Sequence, residues 1–340
     1  MSLPFRFCGL VAALLLSFLL LGGCDEKKTE PAAAAAKVRI FTLADTHADG
    51  YPTVLGDLKF AELVKQRTNG AVVIRVRNNA ELGAEPETLQ QTQKGAIQFI
   101  RIGTNVLSSV NPEINALSMP YLYRDAGHMF RVLDGEIGSE FLVSMYKDGL
   151  LGLCWFDAGS RSFYNSRREI RKPSDLAGMK IRVQDSDLML DLVRAVGAEP
   201  ASVAFNDLYA ALRNNVIDGA ENNWPSYMTQ KHSLAAPYFT EDNHQRSPEM
   251  ILVSAATWEK FSEEEKKILK ESAMEAARFQ REEWARQEAD YRRRATAGGV
   301  TVTTLTDEEF NRFVEAVKPI YQKPAYSRFS DIARRIRETQ

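Results

Sequence analysis

Apolar residues recur along this chain in two alternating periods. Val38 to Leu43 (VRIFTL) reads as a strand, and the polar loop Ala44 to Tyr51 follows it. Pro52 stands where a helix opens, and Val54, Leu58, Ala61 and Val64 then repeat at helical spacing up to Asn69-Gly70, a natural left-handed stop. Ala71 to Val76 reads as a second strand, Pro86 to Lys94 as a short helix ended by Gly95, and Ile97 to Ile102 as a third strand. This alternation predicts a mostly parallel sheet covered by helices.

Two helical patterns follow Met119-Pro120, one around Met129, Phe130 and Leu133, the other around Phe141, Leu142 and Met145. The strand Leu150 to Phe156 runs into Asp157-Ala158-Gly159, a polar crossing where one lobe can hand over to another. Farther on, Ile181-Arg182-Val183 lies on a short apolar segment. If its neighbours face a core, Arg182 faces the other way, toward solvent or a cleft. Glu249 to Ser254 is a further strand. Glu263 to Ala297 reads as one charged amphipathic helix, about 50 Å long at 1.5 Å per residue, which is more than one lobe is wide. It is expected to brace two lobes. Val300 to Thr304 is a last strand, before helices near Asp307 to Tyr321 and Ser327 to Glu338.

Length supports the count of two lobes, since 340 residues exceed one small core. A formal charge of −2 offers no basic field, so nucleic acid is not an expected partner. The N-terminus reads as a signal peptide over residues 1–23, with Arg6 before the apolar run Leu10 to Leu21 and a small-residue end at Gly22-Gly23-Cys24. That run is too short for a bilayer span, which takes roughly 20 apolar residues. Leu21-Gly22-Gly23-Cys24 resembles a bacterial lipobox, implying cleavage before Cys24 and lipidation of its thiol; plain secretory cleavage near Gly23 is the alternative. Asp25 resembles the residue that retains such lipoproteins at the inner membrane. Residues 24–36 then form a tether. With Cys8 removed and Cys24 acylated, Cys154 is the one thiol left, so no disulfide is expected, and its apolar run makes it core filler.

The chain carries no GxGxxG, GxxxxGK, GxSxG, HExxH or CxxC segment, and its four histidines show no metal-ligand spacing. No cofactor or metal is expected, and binding is favoured over catalysis. Ligands of α/β sheets lie beyond the carboxyl ends of the strands, here at loops 44–51, 83–87 and 101–106, which hold His47, Glu85, Arg101 and Asn105. Arg182 stands out because a planar guanidinium fixed on a strand matches a carboxylate with two parallel donors.

Five segments together carry a resemblance over nearly all of residues 37–320: ELGAEPETLQQTQKGAI (81–97), MPYLYRDAGHMFRVLDGEIG (119–138), RKPSDLAGMKIRV (171–183), GAEP with FNDLYAALRNNVIDGAEN (197–222), and the EMILVS strand. The chain resembles the DctP-like extracytoplasmic solute-binding proteins of TRAP transporters. The resemblance implies an α/β fold of two lobes with a hinge and a long spanning helix, and a role in handing an organic acid to membrane permease subunits from the periplasm. The lobes are expected at 37–158 plus 248–287 and at 159–247 plus 288–340. By the same resemblance Arg182 makes a two-pronged salt bridge to a solute carboxylate, Arg161 is a second carboxylate-facing arginine, Asn222 bonds the solute and Phe205 forms an apolar wall. GSRSFY, RVQDSDLM and DGAENNWPSY further resemble the subgroup that binds hexuronates. Glu85, Arg101 and Glu249 would then meet sugar hydroxyls, with His47 and His244 also available and Trp224 stacking on a sugar face. Ala84, His47 and Ser160 depart from that subgroup's usual residues, so the hydroxyl pattern is less constrained than the carboxylate clamp.

Overall fold

The computed structural model describes residues 37–340; the leader, the tether and Cys24 lie outside the described residues. Among the described residues eleven strands form two sheets. The first holds β1 (Arg39–Ala44), β2 (Val72–Arg77), β3 (Phe99–Gly103), β4 (Leu150–Phe156) and β10 (Glu249–Ser254), in the order β2-β1-β3-β10-β4. The second holds β5 (Ser160–Asn165), β6 (Lys180–Val183), β7 (Glu199–Ser202), β8 (Gly219–Asn222), β9 (Tyr238–Arg246) and β11 (Thr301–Thr304), in the order β11-β9-β5-β8-β6-β7. Pro200, which cannot donate to a ladder, lies on the edge strand β7.

The parallel sheet expected from the opening rhythm is found only in part. β1 pairs in parallel with β2 and β3, but β10 enters antiparallel between β3 and β4. It comes directly from β9 of the other sheet through Ser247-Pro248, so it enters the first lobe from the opposite end. The second sheet is also mixed. β9 was hidden to a hydrophobic-pattern reading because its buried positions include Thr240, Asp242, His244 and Gln245, whose polar groups are partnered inside the protein.

The helix Glu263–Ala297 is continuous over 35 residues and opens on a capping box between Ser262 and Glu265. Leu269, Ala273, Ala276 and Ala277 pack in the core of the first lobe beside Phe60 and Val64 of the helix Pro52–Arg67, while Ala295 joins the core of the second with Tyr227 and Phe239. The helix therefore spans both sheets. Between those ends it grips the crossing from β4 to β5. Gln280 donates to the Asp157 carbonyl and accepts from the Asp157 N–H, each at 2.8 Å. Gly159, at φ +65, lets Trp284 and Glu288 approach closely, and Asn223 of the second lobe donates to the Ala158 carbonyl at 3.0 Å.

A methyl group at Gly159 would lie 2.6 Å from Glu288 Oε1 and 2.7 Å from Trp284 Nε1, in a backbone region that L residues rarely adopt. Gly159→Ala should therefore cost on the order of 1 to 3 kcal/mol. Thermal unfolding is expected to show a Tm lower by about 2 to 4 °C per kcal/mol; an unchanged Tm would mean that the crossing is not held as tightly as these contacts imply.

Candidate functional site

Between the two sheets lies a cavity of about 220 Å³. The first lobe lines it with Thr46 and His47 after β1, Glu85 at the start of the helix Glu85–Gln93, and Glu249 at the start of β10. The second lobe supplies Arg161 from β5, Arg182 from β6, Phe205 after β7 and Asn222 from β8. These side chains converge because the strands of both sheets end at the cleft.

On the first-lobe wall the organising group is Arg101, whose side chain is fully buried behind the cavity. Its Nε donates to Asp45 Oδ2 at 2.9 Å and its Nη1 to Glu85 Oε1 at 3.0 Å and Glu249 Oε2 at 3.1 Å. Nη2 meets Asp45 Oδ1 and lies 2.7 Å from His47 Nδ1. The same Nδ1 lies 3.0 Å from Asp45 Oδ1, so this ring nitrogen sits between a donor and an acceptor. His47 is also stacked on Tyr51, with centroids 3.9 Å apart. Burial alone would raise the Asp45 carboxyl, but Arg101 and His47 together hold it well below the usual carboxylate range. Glu249 is pushed up by burial more than Arg101 lowers it. Behind this cluster, Asp57 has both oxygens buried without partners; burial, reinforced by Asp45, raises its pKa well above the usual carboxylate range.

The second-lobe wall has the opposite character. Arg161 is bound through Nε and Nη2 to Glu221, with Nη2 also donating to the Glu221 carbonyl at 2.9 Å, while its Nη1 reaches Asn222 Oδ1 at 3.2 Å. Behind it, His244 lies between Asp242, at 2.9 Å, and Glu221, at 3.4 Å. Burial alone would lower the imidazole, but the two carboxylates lift it to about 9. Glu221 stays below its usual range, because Arg161 and His244 outweigh the effect of burial.

Arg182 is different. It is 2% exposed, its Nε donates to the Val203 carbonyl at 2.8 Å, and its Nη1 has no partner. Among the described residues no carboxylate lies within salt-bridge distance of it. Burial holds it below the ordinary arginine range, with Glu221 opposing and Arg161 adding to the effect. Its charge reaches a neighbour: burial, and then the field of Arg182, push the buried His232 down to about 3. A desolvated ion left without a partner is costly, by several kcal/mol, so the wall is built to receive an anion.

Of the residues singled out in the sequence, Arg182, Arg161, Asn222, Glu85, Glu249, Phe205 and His47 share this cavity. Four do not line it. Asn105 is buried, donating to Gln184 Oε1 at 2.8 Å and to Gln245 Oε1 at 3.0 Å. Arg101 is held behind the wall by its acidic partners. His244 is buried behind Arg161, in contact with Phe163. Trp224 turns into the core of the second lobe, stacked on Phe239 at 3.7 Å, and so is not positioned to stack on a solute. Sequence reasoning missed Asp45 and Glu221, the carboxylates that tie down Arg101 and Arg161. It also missed Tyr51, whose hydroxyl crosses between the lobes to Ser226 Oγ at 2.9 Å. Glu221 had a signal, standing beside Asn222 in DGAEN; Asp45 had none, because Arg101, which it ties down, lies 56 residues away.

Comparison with known proteins bears on the family and the fold. Residues 43–327 match the family model described as bacterial extracellular solute-binding protein, family 7 (DctP). A solute-binding protein of Chromohalobacter salexigens is 33% identical over 277 residues, covering 82% of each chain. Among solved structures, a TRAP periplasmic solute-binding protein of Roseobacter denitrificans with bound β-D-glucuronate superposes with a TM-score of 0.85 at 34% identity, covering 89% of this chain and 100% of that one. One from a Bradyrhizobium species, in complex with D-galacturonate, gives 0.85 at 35% identity, covering 88% and 100%. A cleft between two α/β lobes with an unpaired cation inside it, together with a family match over most of the sequence, identifies this chain as a member of the DctP family of TRAP solute-binding proteins.

Proposed function

We propose that this protein captures a hexuronate such as glucuronate or galacturonate and delivers it to a TRAP membrane permease. The observation that carries the reading is the unpartnered Nη1 of Arg182, across the cavity from two glutamates that each keep one oxygen without a protein partner. A fitting solute has a carboxylate at one end and hydroxyls at the other. Its carboxylate is held by Arg182 and by the Nη1 edge of Arg161. Its hydroxyls donate to Glu85 and Glu249 and accept from the Asn222 amide, with His47 Nε2 as a further hydrogen-bonding partner, while Phe205 covers the ring. The bound uronates of the related structures support this choice of acid.

Contacts from both lobes exist together only when the cleft is shut, so the solute favours closure. In this reading the lobes are residues 37–158 plus 248–287 and 159–247 plus 288–340, moving about the crossings. The protein is exported behind a signal peptide, residues 1–23, and held at the inner membrane by lipid on Cys24. A mature N-terminal peptide with an acylated Cys24 is expected from mass spectrometry of the native protein; an unmodified cysteine would contradict the anchor.

Calorimetry tests the clamp. Removing one partner of a desolvated charge pair costs about 2 to 5 kcal/mol, or roughly 30-fold to several thousand-fold in affinity. Arg182→Ala should lose D-glucuronate and D-galacturonate binding to that extent, and Arg182→Lys should recover only part. Near-normal affinity in Arg182→Ala would defeat the assignment.

The Arg161 side depends on the proton of His244. Its folded pKa of about 9 lies above the ordinary 6.5, so its contribution to stability is full below about pH 6.5 and lost as pH rises through about 9. The Tm difference between wild type and His244→Gln should therefore shrink across that window. A difference independent of pH would mean that the imidazole is neutral in the folded protein.

A further inference from the structure

Among the described residues Arg101 is the one guanidinium bonded to the first-lobe wall of the cavity, and it has nothing left to offer a ligand. A guanidinium has five N–H groups. Nε and one Nη2 hydrogen go to Asp45, the two on Nη1 go to Glu85 and Glu249, and the second on Nη2 faces His47 Nδ1 and Thr46 Oγ1. One positive charge thus stands against three carboxylates, of which Glu85 and Glu249 line the cavity. Each gives one oxygen to Arg101, while Glu85 Oε2 and Glu249 Oε1 have no hydrogen-bond donor among the described residues. The helix N-terminus beside Glu85 would by itself favour an anion, but Glu85 and Glu87 already occupy its first turn.

This wall accepts hydrogen bonds and repels negative charge, whereas the Arg182 wall seeks a carboxylate. We propose that Glu85 and Glu249 make the cleft refuse acids that carry a second carboxylate at the end opposite the clamp. A hexuronate is taken and the corresponding aldarate, the six-carbon diacid with carboxylates at both ends, is rejected. The inference rests on the hexuronate reading and extends it to what the site excludes. The rejection is electrostatic, since the second carboxylate would meet the two glutamate carboxylates, which can only accept. The aldarate also lacks the hemiacetal ring, because it carries a carboxylate where the uronate carries its aldehyde carbon, so the change in preference when the two glutamates are neutralised is what isolates the charge effect.

Glutamine isolates the effect because it keeps the shape. In Glu85→Gln/Glu249→Gln each amide oxygen can still accept from Arg101 Nη1, and Asp45 alone then balances the guanidinium, so no buried cation is left unpaired. The amide nitrogens replace two acceptors by donors that suit a carboxylate. Like charges brought together in a binding site cost several kcal/mol, so wild type is expected to bind galactarate at least about 100-fold more weakly than D-galacturonate.

In the double variant, calorimetry with the same two acids should show galacturonate weakened, galactarate strengthened, and the preference reduced to about tenfold or less. Thermal unfolding checks that the variant is folded, and Glu85→Gln alone, at the more accessible of the two glutamates, should shift the preference the same way if the double variant is not. Wild type binding both acids within about tenfold would overturn the inference while leaving the hexuronate reading intact. A folded variant that still rejects galactarate would also overturn it. Wild type binding neither acid would sink the hexuronate reading first, and this inference with it.

Discussion

A buried positive charge without a negative partner is the constraint around which this molecule is arranged. Arg182 sits on a strand whose neighbours Ile181 and Val183 are fully buried, its Nε is fixed by the Val203 carbonyl, and its Nη1 is unpartnered. Proteins rarely leave an ion so exposed to its own desolvation. The surroundings keep the charge available: the nearby acid, Glu221, is held by Arg161, and the nearby base, His232, is neutral and bonded to the Tyr164 hydroxyl. The protein thus prepares an electrostatic vacancy that an entering anion can fill.

The rest of the fold serves that vacancy by bringing a second, chemically opposite wall to face it. The first lobe presents Glu85 and Glu249 and the second Arg161 and Arg182, so the cavity is polarised from one lobe to the other. Crossings between the lobes pass close together, and the helix Glu263–Ala297 clasps one of them through Gln280. Tyr51 carries the closure into the site itself, stacking under His47 in one lobe while bonding Ser226 in the other. A change in the angle between lobes is therefore felt at the cavity wall.

Much of the first lobe was legible from hydrophobic periodicity, because Leu150–Phe156 and Glu249–Ser254 are apolar runs and Glu263–Ala297 is a long amphipathic helix. β9 was not legible, since its buried positions are filled by an ion network whose partners, Tyr121, Phe163 and Glu221, come from elsewhere in the chain. For the site, alternation around Arg182 indicated that it faced away from a core, and family motifs pointed to Arg161 and Asn222. Which cations are free and which are neutralised was not legible. Arg101 and Arg182 look alike in sequence as arginines between apolar neighbours, yet one is saturated by acids and the other has none. Trp224 misled for a related reason: an aromatic beside a binding motif reads as a platform, and only packing shows that Phe239 covers its face.

The most direct test of the clamp is a crystal structure of the protein with D-galacturonate bound. The solute carboxylate is expected within hydrogen-bond distance of Arg182 Nη1, with sugar hydroxyls turned toward Glu85 and Glu249. A galacturonate bound in the reverse sense, with its carboxylate beside the two glutamates and Arg182 Nη1 still unpartnered, would contradict the clamp.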